Sequence, residues 1–134
     1  MGKILEQMEM PLVLKKKRKS KKLIFVFGSN LGGIHGAGSA KKAKEKYNAK
    51  IGVGNGRTGN AYAIPTKDRL LKTLPLRRIQ YYVNQFFHYA YDNPQFNYKV
   101  VKIGCGLAGY CEDEIKPMFR CFKYLKYVKL PEGW

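Results

Sequence analysis

Negative charge is scarce in this chain. Nine Asp and Glu stand against 26 Lys and Arg in 134 residues, a formal net charge of +17. Such a surface attracts polyanions, meaning nucleic acid, nucleotide phosphates or an anionic membrane, the alternative being a solubility or host-proteome bias. The imbalance is not confined to one tail. Residues 1–22 carry eight basic and two acidic side chains, and the rest carries eighteen and seven, so the body alone is +11. Histidine occurs twice, and the three cysteines, Cys105, Cys111 and Cys121, show no Cys-x-x-Cys spacing. That argues against a zinc site and a disulfide framework, leaves no metal or cofactor to expect, and suits a reducing compartment. No apolar run approaches the length of a membrane span, and the N-terminus has no signal-peptide hydrophobic core, so a soluble cytoplasmic protein without membrane partners is expected.

What the chain does have is glycine in two clusters, each after a hydrophobic run. Leu23–Phe27 is apolar with strand propensity and leads into Gly28, Gly32, Gly33, Gly36 and Gly38. A helix is expected from about Ser39 to Asn48, with Ala40, Ala43 and Tyr47 on one stripe. Strand, glycine loop and helix in that order form a phosphate cradle, because glycines let backbone N–H groups approach an anion that the helix N-terminus favours. The alternative is an ordinary tight connection. The spacing is neither Gly-x-Gly-x-x-Gly nor Gly-x-x-x-x-Gly-Lys-Ser/Thr, which excludes both standard nucleotide fingerprints.

Ile51–Asn60 holds four glycines and reads as a loop or an irregular edge hairpin. Ala61–Pro65 is a short strand ending in Thr66-Lys67-Asp68. Pro75–Tyr91 is the clearest helix, with Pro75 suited to its first turn and Leu76, Ile79, Val83, Phe86, Phe87 and Ala90 on one face. Tyr98–Ile103 reads as a strand running into the second glycine loop, Gly104–Tyr110. A helix follows, with Asp113 expected as its N-cap, Pro117 in its first turn and Ile115, Met118, Phe119 and Phe122 buried. Tyr127–Leu130 makes a last strand. Alternating strands and helices imply an α/β domain with a largely parallel sheet over residues 23–134. In such sheets ligands bind beyond the carboxyl ends of the strands.

Before this domain lie Ile4, Leu5, Met8, Met10, Leu12, Val13 and Leu14, enough for a short helix or strand, and then Lys15, Lys16, Lys17, Arg18, Lys19, Lys21 and Lys22. Residues 1–22 read as a basic arm or linker, with nucleic-acid contact as its functional alternative and a nuclear localisation signal formally open.

Three motifs in order carry a resemblance. Asn30-Leu-Gly-Gly-Ile-His-Gly-Ala-Gly38-Ser-Ala with its Lys-rich helix, Pro65-Thr66-Lys67, and Ile103-Gly104-Cys105-Gly106-Leu107 together resemble the macro-domain family. The likeness is nearest to the lysine-dependent subgroup that includes terminal ADP-ribose protein glycohydrolase, the antitoxins that remove ADP-ribose from DNA, and small phage or bacterial macro-like proteins. It implies a three-layer α/β/α domain with a mixed, largely parallel sheet. It also implies binding of ADP-ribose or an ADP-ribosyl group, with hydrolysis of the ADP-ribosyl glycosidic bond on nucleic acid or protein as the reaction.

On that resemblance Lys67 is the nucleophile. Attack needs a neutral amine, which burial among cations such as Arg69 favours; otherwise Lys67 is one more exposed loop lysine. Asp68 would tune it, or simply cap a turn. The expected ligand contacts are Gly28, Ser29, Asn30, Gly33, Ile34, His35, Gly36, Ala37 and Gly38 from the first loop, then Thr66. From the second loop they are Gly104, Cys105, Gly106, Leu107, Ala108, Gly109 and Tyr110. Asn30 would bond the distal ribose or open an Asx turn; His35 would donate to phosphate, act in acid–base chemistry or be structural; Tyr110 would cover the ligand or pack. Cys105 reads as a small buried residue. Two departures stand out: residues 1–22 contain no Asp to read adenine, and Ala108 stands where some members have an acid, leaving Asp68 or Glu112 as substitutes. The alternatives are a non-catalytic binder or sponge of an NAD-derived nucleotide, or a basic nucleic-acid-binding protein on a macro-like scaffold.

Overall fold

Alternation along the strands assigns the two faces of the sheet. In the structure, a computed structural model that describes residues 22–134, β1 (Leu23–Asn30) sends Ile24 and Val26 into one hydrophobic cluster and Phe25 and Phe27 into the other. β3 (Ala61–Lys67) divides in the same way, Tyr62 and Ile64 against Ala61 and Ala63. Two buried faces require two covering layers. α1 (Gly38–Tyr47) supplies one with Ala40 and Ala43, its Tyr47 ring stacked on Phe25 at 4.4 Å. α2 (Leu76–Asp92) supplies most of the other through Ile79, Tyr82, Val83, Phe86, Phe87 and Ala90. Small alanines on the α1 side let that helix sit close, while the α2 side is filled by aromatics.

With β2 (Gly56–Thr58), β4 (Asn97–Val100) and β5 (Val128–Lys129), the sheet has five strands among the described residues, in the order β2-β3-β1-β4-β5. β1 pairs in parallel with β3 and with β4, and β4 pairs in parallel with β5. Of these five, only β2 is antiparallel, making the edge hairpin with β3. The expected three-layer α/β domain with a mixed, largely parallel sheet is therefore observed. No helix among the described residues is long and apolar enough to cross a membrane.

Several boundaries differ from the sequence reading. β1 does not stop at Phe27, because Gly28, Ser29 and Asn30 continue to pair with β3; the first glycine loop thus begins at Leu31. Pro65 lies inside β3, but β2 pairs only as far as Ala63, so the missing proline N–H removes no ladder bond on that side. Pro75 is the N-cap of α2 rather than part of its first turn. β4 ends at Val100, although the Val101 N–H still bonds the Val26 carbonyl at 3.1 Å and Ile103 is buried. The last helix is a single α turn, α3 (Glu112–Ile115), continued as a 3-10 helix over Lys116–Tyr124 that contains Pro117. Its N-cap is Cys111, not Asp113: Glu114 reaches back to the Cys111 N–H at 3.0 Å, a bond that Asp113 at the second helical position does not make. Ile115, Phe119 and Phe122 are buried as expected, and Met118 is half-buried against them. The apolar and basic runs of residues 1–21 lie outside the described residues. Lys22 is exposed, and its carbonyl accepts the Asn97 N–H at 2.9 Å.

Candidate functional site

The carboxyl ends of β1, β3 and β4 open into a cleft of about 1030 Å³. All three of the junctions singled out in the sequence reach it. Gly28, Ser29, Asn30, Ile34, Gly36, Ala37 and Gly38 line it from β1 and the first loop, Thr66 and Lys67 from β3, and Gly104, Cys105, Gly106, Leu107, Ala108 and Tyr110 from the second loop.

The register explains how two consecutive residues of β3 both line one cleft. Ser29 pairs with Pro65, but Asn30 pairs with Lys67, leaving Thr66 as an extra residue. Such a bulge breaks strict alternation and re-aims side chains. Thr66 Oγ1 then donates to the Ser29 carbonyl at 3.2 Å, and the Leu31 N–H bonds the Lys67 carbonyl at 2.9 Å. Asn30 and Lys67 thereby stand side by side at the cleft floor.

Asn30 is buried, and its amide spans the first loop: Nδ2 donates to the Ile34 carbonyl at 2.8 Å while Oδ1 accepts the Ile34 N–H at 3.1 Å. This is the turn-forming role weighed above, and one Nδ2 hydrogen remains for a ligand. The loop is held from below by close backbone approach. Gly33 has φ +71° and packs on Gly52, and a Cβ on Gly54 would collide with the Asn30 carbonyl. The Ser29 hydroxyl donates to the Gly54 carbonyl.

At the first-loop wall, α1 begins with its N-terminus at the cleft. Ala37 caps it without a side-chain acceptor, and no acid occupies the first turn. Its first N–H groups have no intrahelical partner, which makes this end a natural seat for an anion. Across the cleft, Leu107 reaches over Gly38, its Cδ1 3.7 Å from where a Cβ would stand.

Four of the expected site residues lie off the cleft lining, and each has a physical reason. Gly33 is buried against Gly52. His35 is 2% exposed beneath the loop, its ring edge on Phe27 and its Nε2 3.1 Å from the Lys50 carbonyl. A carbonyl only accepts, so Nε2 carries the proton, and Nδ1 is left buried without a partner. Asp68 caps a turn: Oδ1 accepts the N–H groups of Leu70 at 2.8 Å and Lys72 at 3.0 Å. Gly109 serves the loop's own turn at φ +87°, its N–H on the Gly106 carbonyl at 3.0 Å. Tyr110 lines the cleft with its ring, while its hydroxyl donates to the Leu74 carbonyl at 2.7 Å.

The sequence reading missed Ser39, Ala40, Leu71, Val101, Lys102 and Cys111 as lining residues, and named Glu112 only as a substitute acid. Leu71 has φ +64°, rare for a residue with a Cβ, and lines the cleft half-exposed. Lys102 Nζ pairs with Glu112 Oε2 at 2.9 Å, and the Trp134 indole N–H donates to Glu112 Oε1 at 2.9 Å. Trp134 first and Lys102 second hold the Glu112 carboxyl below its ordinary range, and Glu112 in turn raises Lys102. Burial, followed by the charge of Glu112, pushes the Cys105 thiol up, which makes it a poor nucleophile. Nothing in the sequence links residues 102, 112 and 134, and nothing distinguishes Leu71 from its neighbour Leu70.

No family model matches the chain, and no curated protein matches it. Among solved structures, the macrodomain of Mycobacterium tuberculosis DarG matches with a TM-score of 0.61 at 17% identity, over 84% of this chain and 88% of that one. A protein of unknown function from Bacteroides thetaiotaomicron matches with a TM-score of 0.56 at 12% identity, over 87% of this chain and 90% of that one. The fold is that of a macrodomain.

Proposed function

We propose that the cleft binds ADP-ribose, free or attached to a macromolecule, and that Lys67 releases it from its carrier. The observation that carries this reading is the pairing of Asn30 with Lys67 at the floor of a cleft walled by two glycine loops. The α1 N-terminus and the loop N–H groups suit a diphosphate. Asn30 retains a donor for a ribose hydroxyl. In the reaction, the neutral Lys67 amine bonds to the anomeric carbon as the glycosidic bond breaks, and the proton that the alkylated nitrogen sheds goes to the departing carrier atom. Water then restores the lysine and frees ADP-ribose.

A second reading, binding without hydrolysis, is favoured by the carboxylates. Ala108 offers no acid, Asp68 is committed to its turn, and Glu112 is committed to Lys102 and Trp134. Nucleic-acid contact through the Lys15–Lys22 arm remains a further expectation, with Lys15–Lys21 outside the described residues.

Isothermal titration calorimetry with ADP-ribose, AMP and NAD is the first test. Selective ADP-ribose binding supports the site, and its absence removes the reading. Release of ADP-ribose from modified DNA or protein by the parent chain, lost in Lys67→Ala, supports catalysis. Binding without release leaves the sequestering role.

A further inference from the structure

The α1 layer covers only part of its face of the sheet. Its cluster contains buried residues from β1, α1 and β3, but none from β4 or β5. The register places Lys99 beside Phe25 on that face, and Lys129 beside Lys99. Both lysines are exposed. From the other side Lys42 of α1 brings its Nζ 5.5 Å from the centre of the Phe25 ring. Lys99 and Lys129 are thus neighbours at a strand spacing of about 4.8 Å, and Lys42 extends the same basic face over the adjoining strand β1. Lys22, the last residue of the basic run, meets Asn97 two residues before Lys99 and so joins the same end of the sheet.

Two lysines directly opposite on neighbouring strands repel each other, and strand pairs are destabilised by such placement. A sheet face carrying exposed lysines on adjacent strands complements a polymer of regularly spaced negative charge. We infer that this uncovered half-sheet is a docking surface for the phosphate backbone of nucleic acid, separate from the cleft. None of the three lysines lines the cleft, so the inference stands independently of what the cleft binds. The contacts are to phosphates, and the surface reads no base sequence.

The test uses the full chain and a 20-base-pair DNA duplex, with affinity measured across a salt series. Lys99→Glu/Lys129→Glu is compared with Lys116→Glu/Lys123→Glu, which makes the same charge change on the exposed side of the 3-10 helix. The expected result is a loss of at least tenfold in the first variant only. Its salt slope should become shallower by about 1.8, from two released phosphate contacts at roughly 0.9 each. Lys129→Glu alone should raise the melting temperature by relieving repulsion while weakening DNA binding, a pairing of signs that a structural lysine does not produce. Equal losses in both double variants would mean net charge alone and overturn the surface. No loss in Lys99→Glu/Lys129→Glu would mean that another occupant takes the face, and would equally overturn it. A folded protein is verified through Lys99→Gln/Lys129→Gln, which should show the same binding defect in weaker form.

Discussion

Asp68 and Leu71 form one unit. The Asp68 carboxylate accepts the N–H groups on either side of Leu71, from Leu70 and from Lys72, and holds Leu71 in the left-handed region at φ +64° with its side chain at the cleft. The Asp68 carbonyl and N–H close the same turn onto Leu71 and Lys72, and Thr73 ties it to the Ala108 carbonyl of the second glycine loop at 2.9 Å. With Ile34 and Leu107, 53% and 70% exposed, Leu71 gives the cleft an apolar rim drawn from three separate segments.

Replacing Leu71 by Asn, which tolerates this backbone region, should raise stability by about 0.5–1 kcal/mol in urea unfolding. The same variant should weaken ADP-ribose binding in calorimetry, because the rim loses an apolar wall. A gain in stability with unchanged affinity would assign Leu71 to the turn alone. Asp68→Ala should lower stability by about 1 kcal/mol through the lost turn.

Gly54 and Gly106 separate a glycine required by packing from one that lines the cleft. A Cβ on Gly54 meets the Asn30 backbone, so Gly54→Ala should cost about 3 kcal/mol or more, read as a large drop in the unfolding midpoint. A Cβ on Gly106 meets nothing within 4 Å, so Gly106→Ala should leave the midpoint almost unchanged. It should still reduce ADP-ribose affinity where the ligand needs close backbone approach.

Lys67→Ala should change stability by less than about 0.5 kcal/mol, as partly exposed substitutions away from the core do. Release of ADP-ribose should fall to the uncatalysed background in a single-turnover assay. Lys67→Arg should be equally inactive, since a guanidinium stays protonated and offers no lone pair.

Glu112 provides a pH signature. Its folded-state carboxyl lies below the ordinary value, chiefly through Trp134 and then Lys102. Its contribution to stability is therefore present above the unfolded carboxylate range, about pH 4.3, and is lost as pH falls through the folded value. Trp134 is the chain's one tryptophan, so its fluorescence should report the release of the indole over that acid window. Glu112→Gln should remove the transition; an unchanged profile would mean that the contact is absent in solution.

Alternation of apolar residues and two glycine clusters behind β-prone runs were enough, in the sequence alone, to specify strands, helices and their order. Period-2 and period-3.6 patterns are local properties, so β1, α2 and the buried stripe of Ile115, Phe119 and Phe122 were legible. The convergence of the first glycine loop, the Thr66-Lys67 end of β3 and the second glycine loop was legible as order but not as distance. Tertiary structure decided what depends on neighbours across the sheet. The extra residue opposite Ser29 and Asn30 sets Asn30 beside Lys67, and whether it forms depends on how β3 pairs with β1. Burial of His35 depends on the approach of Lys50, and the commitment of Glu112 depends on Lys102 and Trp134, ten and twenty-two positions away. Local propensity writes the elements; register and long-range contact decide which side chains meet at the cleft.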